Sequence, residues 1–417
     1  MSTMPRDVVK LLSSKRRVLC AASVLISVLA AGLLAPDHSS GARPGPGAAG
    51  DDDATEERIA EGREIFRYDT FGDEQNWTDR LRMHEVIEAA ISPLTALQLG
   101  LKVDVDALPI ELQMAILAGG VDLTDPATTL TLIQLDAVVG IVGTVEEVDG
   151  VPRLKQVGIT CALCHSTVDD SFLPGIGSRL DGWPNLDLDP GAIIAASPAV
   201  PNEAKAVYRS WGAGKYDPRF NIDGLSTPLV LPPAYGLAGV EKETYTGEGP
   251  VSYWNKYVAV TQMGGHGSFS DPRLGIRIVQ TPDLVQRKLG PLRDYQFSLV
   301  KPAPPADVDL AAAARGKVLF NGAAGCATCH IPPLYTDINL GVLHDPAETG
   351  MDGAYAARTT TKKYRTTPLR GLATHAPYFH DGSAATLGDV VNHYDTVRRL
   401  GLTAEQKQDL SEFLRSL

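Results

Sequence analysis

Cysteine is scarce in this chain of 417 residues, and its scarcity is informative: there are five, and none is left over once their positions are examined. Positive charge is also short. Lys and Arg total 38 against 50 Asp and Glu, a formal net charge of −12. The electrostatic attraction that dominates nucleic-acid binding needs a basic surface, so a nucleic-acid partner is excluded. The balance suits a soluble protein that meets a basic partner. With 44% hydrophobic and 21% charged residues the composition is that of a folded protein, and the length allows two or three domains.

The N-terminus stands apart. Arg6, Lys10, Lys15, Arg16 and Arg17 precede an apolar run, 18–35, followed by PDHSSGARPGPGAAGDDDA. Basic start, apolar stretch and small-residue exit describe an export signal, or a membrane anchor if it stays uncleaved. Residues 1–35 are therefore read as signal peptide or anchor and 36–54 as a disordered linker, placing the protein in the periplasm or beyond. A membrane partner is expected only for the uncleaved form. Cys20 lies at the start of the run, a poor position for lipid attachment.

The other four cysteines form Cys161-Ala-Leu-Cys164-His165 and Cys326-Ala-Thr-Cys329-His330. Cys-x-x-Cys-His is the attachment pattern of c-type haem. Two thiols one helical turn apart add to the porphyrin vinyl groups, and the adjacent imidazole reaches the iron. A zinc ribbon brings its pairs together from ~15–20 residues apart and needs no following His. A redox dithiol would occur once, beside a βαβ pattern, and none is visible. Two covalently attached haems are expected.

The flanks repeat. Before the second motif, DVDLAAAARGKVLFNGAAG has helical periodicity and an Asn-Gly stop; after it, LTAEQKQDLSEFLRSL starts a helix at Thr403 and puts Leu410, Phe413, Leu414 and Leu417 on one face. EERIAEGREIF parallels AAAARGKVLF, but Phe320 precedes Cys326 by six residues whereas Phe66 waits until Cys161. An insertion at about 67–156 follows from the repeat, with helical stretches near 83–91 and 108–118 and a β-hairpin turning at Asp149-Gly150. It is expected to cover the first haem and narrow its access. The proline-rich 301–309 is the expected linker between domains 55–300 and 310–417. The fold class is mainly α: two class I cytochrome c-like domains, the first enlarged by the insertion.

YRTTPLRGLATHAPYFHDGSAATLGDVVNHYD, 364–395, together with CATCH upstream, resembles the C-terminal domain of the bacterial di-haem cytochrome c peroxidases and MauG-type enzymes. The match is specific over about a hundred residues and weaker over the first half. The resemblance implies that the residue twelve after Gly382, Tyr394, is the sixth ligand of the second haem; His393 or no sixth ligand is the alternative. The peroxidases have Met there, and Tyr marks the MauG-like branch, because a phenolic oxygen favours ferric iron. The resemblance further implies a calcium ion held near Thr366 and Pro368, for which a plain turn is the alternative. His375 and His380 are read as supporting or surface histidines.

In the first half the family pattern thins. Ser178 follows Ile176-Gly177 where the family's capping His is expected. STPLVLPPAYGLAGVEKETYTGEGPVSYWNKYVAVTQMGGHG is similar to the 364–395 segment, with Thr227-Pro228-Leu229 matching Thr367-Pro368-Leu369. There Gln262 stands for the family's catalytic Glu, or Met263 is a sixth ligand, with His266 as a third candidate and core packing of Met263 as the bland alternative. The family's inter-haem Trp is missing, leaving Tyr245 or Trp183 to bridge. The resemblance implies a peroxidase- or MauG-like oxidoreductase acting on hydrogen peroxide or oxygen, with a small redox protein donor or a protein substrate and with Gln262 and Tyr394 in catalytic roles. The alternative is a di-haem electron carrier with both irons six-coordinate.

Overall fold

The computed structural model describes residues 48–417. The export signal or anchor, Cys20 and most of the 36–54 stretch thus lie outside the described residues. Helix α1 (Ala48–Tyr68) begins within that stretch, so its last residues are helical rather than disordered; alanine, frequent there, has the highest helix propensity. No described helix is long and apolar enough to cross a membrane.

After α1 the region read as an insertion folds as α2 (Met83–Ala90), α3 (Ile110–Leu117), α4 (Pro126–Gln134) and an antiparallel hairpin of β1 (Ile141–Val148) and β2 (Val151–Ile159). Val148 pairs with Val151 across a two-residue turn, in which Asp149 and Gly150 both have positive φ (52° and 77°). That turn matches the right-handed twist of the strands it joins. Trp77, Leu112, Ile133, Val138 and Leu154 are buried together with Ile176, giving this region a core of its own. Further on come α5 (Val251–Tyr257), continued by one π-helical turn (Val258–Gln262), and α6 (Leu289–Ser298). Non-helical 301–309 leads to α7 (Leu310–Asn321), α8 (Leu387–Arg398) and α9 (Ala404–Arg415). The fold is mainly α, with five two-stranded sheets among the described residues.

The same helix crossing occurs twice. Gly62 of α1 lies against α6, where a Cβ would come within 2.0 Å of the Pro291 carbonyl; Gly316 of α7 lies against α9, with the same distance to the Asp409 carbonyl. One turn later Phe66 meets Tyr295 edge-on at 5.5 Å, and Phe320 meets Phe413 at 5.0 Å. The Gly-x-x-x-Phe pattern shared by the two segments therefore encodes a crossing: glycine lets the backbones approach and phenylalanine fills the space behind. Thr403 caps α9 through a box with Gln406, and Leu410, Phe413, Leu414 and Leu417 are buried.

Residues 215–248 tie the first half to the second. Glu248, buried, pairs with Arg219 and accepts from Thr360 N (2.9 Å) and Oγ1 (2.8 Å). Arg358 pairs with Asp217 (2.8 Å) and Asp223 (2.7 Å), and Arg365 with Glu243 (3.0 Å). Buried charges are tolerated when paired and hydrogen-bonded as these are. The network fixes the position of one Cys-x-x-Cys-His motif relative to the other.

Candidate functional site

Both motifs open into one cavity of about 1300 Å³, larger than the ~300–1,000 Å³ usual for a single small-molecule site. The first motif is delivered by the hairpin. Thr160, just beyond β2, donates its N–H to the Gly140 carbonyl (3.0 Å) and its hydroxyl to the Arg67 carbonyl (3.0 Å). Gly140 must be glycine, since its φ is +79° and a Cβ would lie 2.2 Å from the Leu163 backbone. The chain then makes a single helical turn, Ala162–His165, in which His165 N donates to Cys161 O (3.1 Å). The second motif turns in the same sense, with His330 N donating to Cys326 O at 2.9 Å.

The histidines are oriented alike. His165 Nδ1 donates to the Pro232 carbonyl at 3.1 Å and His330 Nδ1 to the Tyr335 carbonyl at 2.9 Å. A carbonyl can only accept, so each Nδ1 carries the proton and, in the neutral ring, each Nε2 bears the lone pair, the tautomer of an axial iron ligand. Burial pushes both imidazoles down, keeping them neutral. Burial pushes the Cys161 and Cys164 thiols up to about 12 and Cys326 up to about 11. Such thiols are poor thiolate ligands and poor redox nucleophiles. Among the described residues no three of the cysteines converge as a zinc site requires; the one His/Cys/acid trio with ligand spacing is Cys329, Asp337 and His344.

The lining fits a porphyrin at each motif. It is mostly apolar, and it contains an orphaned donor: the indole Nε1–H of Trp254, itself 7% exposed, has no partner among the described residues. Arg370 and Arg398 also line the cavity, and burial and the neighbouring Arg365 depress Arg370. One half-buried and one exposed guanidinium at the cavity wall, with a buried orphan donor, match a ligand that carries carboxylates.

Tyr394, on α8, faces the cavity beside Cys326 and Cys329, and burial pushes its phenol up to about 12. His393 turns the other way, its Nε2 donating to the Thr349 carbonyl at 2.8 Å. Gln262 and Met263 both line the cavity where α5 passes through its π-helical turn, a distortion frequent at functional sites. Met263 is buried, and its carbonyl accepts from Asn76 Nδ2 and Trp77 Nε1, each at 3.0 Å. Gln262 Oε1 accepts from Tyr216 Oη at 2.9 Å, and its Nε2 donates to Thr261 Oγ1 at 2.8 Å.

Other candidates fall elsewhere. His266 and Ser178 are absent from the cavity lining: His266 N donates to Phe71 O (2.8 Å) and Ser178 N to Asp169 Oδ1 (2.8 Å). Tyr245 lines the cavity and donates to Val230 O (3.1 Å), whereas Trp183 stands behind Tyr235 at 6.1 Å. His375 and His380 are cavity-wall residues rather than surface ones, and His380 Nε2 meets Tyr364 Oη at 3.0 Å. Thr366 and Pro368 also line the cavity, and the Thr366 carbonyl accepts from Thr336 Oγ1 at 2.6 Å. Of the 67–156 region, Asn76, Trp77, Arg80 and Leu81 reach the lining, and Ile159 follows just beyond it at the end of β2. The region borders the first motif along one edge, and its remainder packs on its own core because its apolar residues face one another.

Tyr216, Trp254, Pro232 and Tyr335 escaped the sequence reading. The two carbonyl acceptors are backbone groups and leave no side-chain signal; an aromatic pair such as Tyr253-Trp254 in a helix reads equally well as core.

No family model matches this chain. Curated relatives match part of it. Cytochrome-c peroxidase IdrP1 of Denitromonas iodatirespirans is 32% identical over 151 residues, which is 26% of this chain and 40% of that protein. Methylamine utilization protein MauG of Methylorubrum extorquens is 35% identical over 123 residues, 25% of this chain and 34% of that protein. The match thus spans well under half of either relative. Among solved structures, a MauG-like protein associated with microbial copper homeostasis aligns over 46% of this chain with a TM-score of 0.34 and 22% identity. Over about a quarter of its length, then, the chain is similar to cytochrome-c peroxidases and to MauG at 32–35% identity.

Proposed function

We propose that this chain is an exported, two-haem oxidoreductase of peroxidase or MauG-like type, built from two cytochrome c-like halves. One observation carries the reading: a single cavity holds, at two places, a Cys-x-x-Cys-His turn whose imidazole is fixed through Nδ1 by a backbone carbonyl, which leaves Nε2 as the unprotonated nitrogen. The partial similarity to peroxidases and MauG supports the same class.

Cys161 and Cys164 would hold one haem with His165 as axial ligand, and Cys326 and Cys329 the other with His330 and Tyr394. The haems supply redox-active iron able to exchange electrons with hydrogen peroxide. The protein's part at the first site falls to Gln262, whose amide is held by Tyr216 and Thr261. An amide can orient peroxide by hydrogen bonds but cannot carry its proton. Tyr245, in the cavity wall, is better placed than Trp183 to lie between the two sites. A calcium ion near Thr366 and Pro368 would sit at that wall, where the Thr366 carbonyl accepts the Thr336 hydroxyl on one lone pair and keeps the other.

The buried side chain of Met263 favours a second reading, in which its thioether closes the first iron and the protein only carries electrons. Spectra of the ferric protein decide. A high-spin component at one haem, and spectral change on adding peroxide, are the expected results. Two low-spin haems inert to peroxide would establish the electron carrier and end the enzyme reading.

A further inference from the structure

Trp254 belongs to the buried cluster that contains Ala162 of the first motif and Met263, and its unpartnered indole lines the cavity. Its ring touches two tyrosines of the same helix, Tyr253 at 5.6 Å and Tyr257 at 5.4 Å between centroids. The two phenols differ in what they can do with a proton. Tyr257 is fully buried and donates to the Pro218 carbonyl (2.6 Å), which cannot take a proton away. Tyr253 is half-buried and donates to Asp271 Oδ2 at 2.7 Å.

Asp271 is held as a carboxylate by Arg273, through Nε at 2.9 Å and Nη2 at 2.6 Å, and this bonding keeps its carboxyl down at about 2. The Arg273 guanidinium also lies 5.9 Å from the Tyr253 ring centre, and its side chain is half exposed. Gly249 packs on the same ring so closely that a Cβ would fall 2.6 Å from it. A phenol is oxidised readily only when its proton leaves with the electron. Tyr253 has a carboxylate in place for that proton, an aromatic neighbour that reaches the cavity, and an edge open to solvent.

We propose that Tyr253 is a surface oxidation site, connected to the first-haem end of the cavity through Trp254, at which one-electron donors too large for the cavity are oxidised. The proposal rests on the peroxidase-type reading above, with hydrogen peroxide as the oxidant. Trp254 gives one electron to the peroxide-oxidised centre and regains it from Tyr253; the Tyr253 Oη proton moves to Asp271 Oδ2. The external donor then reduces the tyrosyl radical, and the proton returns from Asp271. Two such passages, with two protons from solvent, convert one peroxide to two waters. Arg273 beside the ring suits an anionic donor.

Ferrocyanide serves as the probe, on the haem-loaded full chain. Freeze-quench electron paramagnetic resonance after peroxide addition should show a tyrosyl radical, narrowed by ring-deuterated tyrosine. Tyr253→Phe should abolish that signal and cut ferrocyanide turnover at least tenfold, with haem content and the peroxide-induced optical change retained. Trp254→Phe should abolish the signal although Tyr253 is present. A radical that persists in Tyr253→Phe, or its absence from wild-type protein that reacts optically with peroxide, overturns the relay and leaves the peroxidase reading standing. Wild-type protein with no optical response to peroxide overturns both.

Discussion

Tyr216 Oη donates to Gln262 Oε1 at 2.9 Å, and this bond decides which way the Gln262 amide faces. With Oε1 held by the phenol and one Nε2 proton held by Thr261, the remaining Nε2 proton is the free donor. Burial drives the Tyr216 phenol well above its ordinary pKa, so it is a permanent donor here. Tyr216→Phe should release the amide at a cost near that of one hydrogen bond, ~1 kcal/mol. The expected result is a several-fold to tenfold slower bimolecular reaction with peroxide by stopped-flow, at unchanged haem content. An unchanged rate would remove Gln262 from the reaction.

Tyr394 and His393 are adjacent in sequence and opposite in orientation, which makes them a matched pair. Tyr394→Phe should change the spin state or the reduction potential of the second haem alone. His393→Gln should leave the spectrum intact, because His393 Nε2 is spent on the Thr349 carbonyl; its loss should lower stability by about 1 kcal/mol. The reverse outcome would transfer the ligand role to His393.

Periodicity and end signals made the helical framework legible: the α9 cap at Thr403, the Asn-Gly end of α7 and the Asp149-Gly150 turn are all local rules written in adjacent residues. The two motifs were legible for the same reason, their chemistry being packed into five positions. What surrounds them was not. The acceptors that orient His165 and His330 are backbone carbonyls 67 and 5 residues away, and the Tyr216 to Gln262 bond spans 46 residues. Tertiary partners at such separations leave no spacing to detect. The helices near 83–91 and 108–118 and the hairpin formed where the pattern put them, but pattern alone could not tell that the apolar faces of this region would close on each other and border the cavity only near Asn76–Leu81.

The twin glycine crossings predict where packing is least forgiving. At Gly316 an added methyl would meet the Asp409 carbonyl at 2.0 Å, and at Gly62 the Pro291 carbonyl at the same distance; neither obstacle is a flexible side-chain end. Gly316→Ala and Gly62→Ala should each cost about 1–3 kcal/mol or more through overpacking. Gly120→Ala, whose nearest neighbour would be the Ala115 carbonyl at 3.4 Å, is the control, with a change within ~0.5 kcal/mol. Calorimetric Tm values should drop for the first two and stay level for the third.

Asp73 sets a pH dependence that can be assigned to one group. It is fully buried behind the first motif, where among the described residues its carboxyl oxygens receive only the Ile159 N–H at 3.3 Å. Loss of hydration, reinforced by Glu74 and Asp69, pushes its carboxyl up to about 9. In the unfolded chain the same group titrates near ~4. Between these values the folded protein holds a proton that the unfolded chain has released, so the stability contribution is full below pH ~4 and is lost as pH rises toward 9. The slope is at most about 1.4 kcal/mol per pH unit. Wild-type unfolding free energy, measured by denaturant titration between pH 5 and 8, should therefore fall by a few kcal/mol relative to Asp73→Asn, which has no proton to lose and keeps an acceptor for Ile159. Parallel curves for the two proteins would show that Asp73 is ionised in the folded state and that another group shields it.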